Sequence, residues 1–347
     1  MSCRSPIFII GTERSGSNLL RHVLNSHSRI AVPHPPHFMR YFSGIAASYG
    51  DLAQERNRRR LARDMLTLLA VHIHPWECAI DEDRVTSESS PTPFGVVAAI
   101  YEQYLASTGK ARWGCKSTFM IRQVAEALAE YPEAQFLWLV RDPRDVAASS
   151  RRSIFSTYHP YLTARLWRED QEWGFRAQET LGERQLLRMR YEDLVDRPEP
   201  TLRGLAAFLG EDYEPRMLDF HRSDEARKSA ALSESWRNTT QPINASSVGA
   251  HREHLTGTER AQVEAVAGPL MRRLGYQVGA VAAAAEPSYI RTQALDLYWR
   301  LVAEHRSLRR DRNHWQRWSR DGMVRWLTLK AWVRGMTATA SPGRGNA

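Results

Sequence analysis

Pro6-Ile-Phe-Ile-Ile10, continued by Gly11-Thr-Glu-Arg-Ser-Gly-Ser-Asn18, decides how this chain folds. The apolar run reads as a strand buried on both faces, as strands of a parallel sheet are. Leu19, Leu20, Val23 and Leu24 then recur at helical spacing between Ser17 and Ser26, with Asn25 near the end. Strand, glycine-bearing loop and helix, in that order, make a cradle for an anion. Glycines let the backbone bend so that successive N–H groups and the helix N-terminus face one charge.

Gly11 and Gly16 have the spacing of a P-loop, but Ser17-Asn18 stand where an ATP- or GTP-using loop carries Lys-Ser/Thr. The lysine that reaches terminal phosphates is missing, and Asn18 has no hydroxyl for magnesium. The cation lies upstream instead, at Arg14. Such a loop binds a 5′-phosphate through Arg14, Ser15, Ser17 and backbone amides, with no metal expected.

Further strands follow at Arg29–Val32, Arg112–Lys116, Phe136–Val140 and Gln185–Tyr191. Asp142-Pro143 suits a helix cap and first turn. Pro200 to Leu209 is helical and is ended by Gly210. The alternation predicts an α/β, P-loop-type fold in three layers, a central parallel sheet flanked by helices, with ligands at the strand C-terminal ends. Residues 42–110 read as mostly helical, broken by a loop at 81–93.

With 42% hydrophobic and 25% charged residues, the 347-residue chain has the composition of one large α/β domain with an appendage. No run approaches the ~18 apolar residues of a membrane span. The N-terminal apolar run is too short for a secretory leader. Cys3, Cys78 and Cys115 lie far apart, without metal-ligand spacing, so a reducing, cytoplasmic setting without structural zinc is expected. The net charge is +9. From Glu286 onward 12 Lys and Arg stand against 5 Asp and Glu, whereas the rest has 36 against 34. The basic excess belongs to the tail, so nucleic acid is not the expected partner.

Arg14-Ser-Gly-Ser-Asn-Leu19 resembles the 5′-phosphosulfate loop of the PAPS-dependent sulfotransferases (PAPS is 3′-phosphoadenosine 5′-phosphosulfate). The resemblance runs from Pro6 to about Tyr276 and is weakest between Tyr41 and Lys110. It implies PAPS as co-substrate and PAP as product. Arg141 at the end of the Phe136 strand and Ser149, eight residues on, match the family's 3′-phosphate pair; the arginine fork suits a phosphate. The competing reading of Asp142 as a magnesium ligand is disfavoured by Arg141 beside it. Arg190-Tyr-Glu-Asp-Leu194 resembles the segment that lays a tyrosine, here Tyr191, against the adenosine. Gln241–Gly249 resembles the late loop over the nucleotide. Relatives often have Gly-Arg-Trp-Arg there, whereas this chain has Gly249-Ala-His-Arg252, which makes Arg252 a candidate contact. The implied nucleotide set is Arg14, Ser15, Gly16, Ser17, Asn18, Leu19, Arg141, Ser149, Tyr191 and Arg252.

Sulfuryl transfer, like phosphoryl transfer, needs cations where charge develops on the leaving oxygen. Arg14 and Lys116 are the candidates, Lys116 by its place after the third strand. A hydroxyl or amine acceptor also needs a general base. Relatives carry a glutamate or histidine soon after the second strand. Val32-Pro-His-Pro-Pro-His-Phe-Met39 offers His37 first and His34 second, whereas Thr118 cannot serve.

The expected organisation is a sulfotransferase domain over 1–280 and an Ala-rich linker with a basic, Trp-rich helical tail over 281–347. Residues 42–110 are a helical insertion expected to build the acceptor pocket from Tyr49, Trp76, Phe94, Tyr101 and Tyr104, with Arg56–Arg60 a solvated helix face. The acceptor is a small molecule, glycan, lipid or peptide tyrosine. Three roles are open to the tail: packing on the domain, a homodimer contact, or peripheral contact with an anionic membrane. The rival functions are a P-loop nucleotide kinase or hydrolase, and a non-catalytic PAP- or nucleotide-binding interaction protein.

Overall fold

The computed structural model describes residues 5–154, 157–279 and 287–339. Strands β1 (Ile7–Gly11), β2 (Ile30–Ala31), β3 (Arg112–Cys115), β4 (Gln135–Val140) and β5 (Leu186–Arg190) form one parallel sheet in the order β2-β3-β1-β4-β5. β1 is central, paired with β4 from Ile7↔Gln135 to Gly11↔Leu139. The continuous apolar runs have a simple cause. Phe8 and Ile10 face one core with Phe136, Trp138 and Val140, while Ile7 and Ile9 face the other with Leu137 and Leu139. Each such side chain, fully buried, contributes roughly 1.5–3 kcal/mol.

The second core is closed by α1 (Ser17–Asn25), through Leu20, Val23 and Leu24, and by the helix Pro198–Leu209. The first is closed by the helices Glu55–Ala70, Pro93–Thr108 and Pro160–Thr180, through Met65, Phe94 and Trp167. The molecule is thus an α/β three-layer fold with β1 at the switch point, where ligands of open α/β sheets bind.

Two expectations for 42–110 change. Asp81 accepts hydrogen bonds from the N–H groups of Asp83 and Arg84 and caps a helix, Glu82–Glu88, inside the segment expected to be a loop. The aromatics meant for a pocket fill the core instead: Tyr49, Phe94 and Tyr101 are buried, and Trp76 packs edge-on against Tyr101 at 5.2 Å. Apolar rings above a sheet gain more from the core than from a wet cleft. Arg58 donates to the carbonyls of Leu52 and Thr86, and Arg59 pairs with Glu55 and Asp83.

The expected linker falls mostly on 280–286, outside the described residues. The tail beyond it forms two helices, Tyr289–Arg310 and His314–Thr339. They pack on the domain: Lys330 pairs with Asp64 (3.0 Å), Leu327 and Ala331 are buried, and the Arg334 guanidinium lies 4.8 Å from the Tyr49 ring centre.

Candidate active site

The loop after β1 holds Arg14 at φ 69° and Gly16 at φ 91°, with Ser15 between them. Left-handed residues of this kind turn successive N–H groups toward one point, and α1 begins there with its own unpaired N–H groups. Gly16 is obligatory. A Cβ there would lie 2.3 Å from the Tyr191 ring, so the loop and Tyr191 are in van der Waals contact. Arg21, inside α1, donates from Nε to Asn18 Oδ1 (3.1 Å) and fixes the next side chain of the loop.

Arg141, at the end of β4, donates to the Arg14 carbonyl (3.0 Å) and to the Ser247 carbonyl (2.7 Å), with its guanidinium 4.4 Å from the Tyr191 ring centre. The helix Pro160–Thr180 braces both strand ends: Trp167 Nε1 donates to the Arg141 carbonyl (3.0 Å) and Gln171 Nε2 to Thr12 Oγ1 (2.9 Å). Arg14 Nε donates to Ser149 Oγ at 3.2 Å. Burial first, and then Arg141, bring Arg14 down to about 10, so it is cationic at neutral pH. Asp142 caps the helix Pro143–Arg151, and both its oxygens are taken by Arg144. That carboxylate is committed.

Three neighbouring cavities meet at Arg14. One of about 180 Å³ is walled by Gly16, Ser17, Asn18, Leu19, Arg141, Ser149 and Tyr191, and closed by Trp236 and Gln241–Asn244. Arg141 Nε, in its wall, has no partner among the described residues, and neither has Ser15 Oγ, buried in the loop between Arg14 and Gly16. Unpaired buried donors are costly, so a polar ligand suits them.

The second cavity, about 460 Å³, is lined by Ser149, Arg152, Arg306 and the loop Ser246–Ala250. Arg252 is not in its wall. The N–H groups of Gly249 and His251 donate to the Asp145 carboxylate (2.8 and 2.9 Å), His251 is buried against it, and Arg252 is exposed, its guanidinium near Gly249. Besides Arg14, the cations lining it are Arg152 and Arg306, with Glu253 and Asp311 the carboxylates of the same wall. Burial, then Arg141 and Arg306, lower the Arg152 pKa, as expected of cations sharing one space. Arg152 lies one helical turn beyond Ser149 and could have been found on that spacing. Nothing in the sequence ties residue 306, on the first tail helix, to this place.

The third cavity, about 520 Å³, is lined by Lys116, Thr118, His34 and His37. Burial, followed by Arg21, pushes Lys116 down to about 8. His37 adopts φ 55°, a strained value for a residue with a Cβ, and its Nδ1 lies 3.0 Å from Ser117 Oγ. Burial, then Lys116 and Arg40, hold His37 well below the ordinary histidine range. His34 is buried, stacked on His74 (5.2 Å) and edge-on to Trp236 (4.8 Å). The carboxylates of this wall are engaged: Glu13 by Arg40, Glu304 by Arg317, Asp321 by Arg320, and Asp296 by the N–H groups of Tyr158 and His159. From 42–110 only Ile73 reaches this cavity, whose far wall is the tail, with Arg300, Arg317 and Arg320.

The sequence matches the model of the sulfotransferase family over residues 6–215, more than half of the chain. It is 23% identical over 282 residues to protein-tyrosine sulfotransferase 2 of Gallus gallus, spanning 78% of this chain and 69% of that one. To the nodulation protein NoeE of Sinorhizobium fredii it is 25% identical over 295 residues, 78% and 65% of the two lengths. Among solved structures, the sulfotransferase domain of the Synechococcus PCC 7002 olefin synthase has the same fold, with a TM-score of 0.55 at 20% identity over 80% of this chain and 96% of that one. The chain belongs to the sulfotransferase family.

Proposed function

We propose that this sulfotransferase takes its sulfuryl group from PAPS and transfers it to a hydroxyl acceptor seated between Lys116, His37 and the tail. The observation that carries the reading is the convergence of Arg14, Ser149 and Arg141 on one cavity, with the Arg141 Nε donor left unpaired there. The loop N–H groups and Arg14 hold the 5′-phosphosulfate, and Tyr191 and Trp236 flank the adenosine. Arg141 and Ser149 hold the 3′-phosphate, with Arg152 and Arg306 supplying the charge that Arg252 does not.

Transfer makes one S–O bond and breaks another. The acceptor oxygen attacks sulfur, its proton passes to His37 Nε2, and the bond to the bridging phosphate oxygen breaks, releasing PAP. In the tautomer with Nδ1–H donating to Ser117 Oγ, the Nε2 lone pair of His37 is free for that proton. Lys116 and Arg14 stabilise the charge on the leaving oxygen. The protein-tyrosine sulfotransferases among the relatives support a hydroxyl acceptor. Small molecules, glycans and lipids remain within the class that a cavity of about 520 Å³ admits.

Mass spectrometry of hydroxyl and amine acceptors incubated with PAPS and EDTA tests the reading. An acceptor gaining one sulfuryl group, with one PAP released per product, is expected. Transfer from ATP and magnesium in place of PAPS would overturn it.

A further inference from the structure

We propose that the two tail helices dock this protein on an anionic lipid surface. The first tail helix packs inward through Thr292, Ala303 and Ser307, and its opposite face carries Ile290, Leu297, Leu301 and Leu308. The second packs inward through Leu327 and Ala331, and its opposite face carries Trp315, Trp318, Trp326 and Leu329. These eight side chains are 48–80% exposed. Their spacing, in steps of three, four, seven and eight, places each set on one stripe of its helix. Two long apolar stripes facing solvent are a docking surface, not scattered exposed residues.

The charges name the occupant. Arg309, Arg312 and Arg325 are exposed beside the stripes. The carboxylates are withdrawn or paired: Asp296, Glu304 and Asp311 are half-buried, and Glu304 and the more exposed Asp321 pair with Arg317 and Arg320. The outward surface of both helices is therefore apolar and cationic, the partly exposed Asp321 being neutralised by Arg320. A second copy of this chain would bring the same arginines against each other, whereas an anionic lipid surface complements them. Tryptophan beside arginine is also the composition of helices that lie in the headgroup region. No helix among the described residues is long and apolar enough to cross a membrane, so the helices lie in the surface plane.

Sedimentation of the full chain with vesicles of equal parts phosphatidylglycerol and phosphatidylcholine, against phosphatidylcholine alone, tests this. The chain should pellet with the anionic vesicles, be released by high salt, and show a blue-shifted tryptophan emission when bound. Leu301→Ser with Leu329→Ser should lower the bound fraction about tenfold with the melting temperature kept, since both side chains are exposed. Arg309→Glu with Arg312→Glu and Arg325→Glu should do the same through charge alone. A chain that stays in the supernatant with both vesicle types overturns the proposal. So does a dimer in analytical ultracentrifugation that these same substitutions dissociate, because the stripes then belong to a second copy.

Discussion

Lys116→Ala is expected to lower turnover by roughly 10²–10³-fold, the scale of one preorganised charge lost from a transition state. Lys116 stands at the end of β3, beside the cavity in which His37 and Thr118 face it. Its surroundings are cationic and dry, which is why its pKa falls to about 8. An ammonium held there is poorly compensated until an anion arrives, and it is then worth most where charge accumulates on the leaving oxygen. The sign of the pH effect follows. Lysine is charged below its pKa and neutral above it, so kcat/KM should hold through neutral pH and fall as pH rises past about 8. Lys116→Arg, which does not titrate in this range, should move that alkaline limb upward even if its rate is lower. An alkaline limb that stays in place in Lys116→Arg assigns the titration to another group. Stopped-flow or coupled measurement of PAP release across pH reads both effects.

His37→Asn should cost about 10²-fold or more in turnover, the usual contribution of a general base. Asparagine is chosen because it accepts the left-handed backbone that His37 adopts at φ 55°, so the loop is preserved while the proton acceptor is lost. Burial and Lys116 keep His37 neutral at pH 7, ready to take a proton. The negative charge of a bound phosphosulfate would offset those cations and raise its basicity during the reaction. His34→Asn should change turnover much less, because His34 is boxed in by His74 and Trp236. If His34→Asn carries the loss and His37→Asn keeps full rate, the base is His34.

The fold was legible because its signals are local. Ile7–Ile10 and Phe136–Val140 are unbroken apolar runs, since both faces of each strand are covered. The loop was legible for the same reason, its glycine spacing being local; the contacts that exclude a Cβ at Gly11 and Gly16, with Leu139 and Tyr191, are long-range. What the sequence hid was long-range. The aromatics of 42–110 look the same whether they line a pocket or fill a core, and only the sheet beneath Phe94 and Tyr101 decides between them. The tail was hidden more deeply. Arg306, Arg317 and Arg320 read as part of a basic helical extension, yet they wall the cavities beside Ser149 and Lys116. Arg252, the contact expected from the late loop, is exposed and outside the cavity walls, next to His251, which turns in to Asp145.

The proposed site takes an adenosine nucleotide with a 3′-phosphate, held by arginine and serine side chains and backbone amides. Titration calorimetry of the full chain with PAP and with ADP, both in EDTA, tests it most directly. PAP should bind about 10–100-fold more tightly than ADP, the worth of one or two charge-assisted hydrogen bonds to the extra phosphate, and Arg141→Ala should erase most of that preference. Equal affinity for PAP and ADP, or binding of ATP that appears only with magnesium, would contradict it.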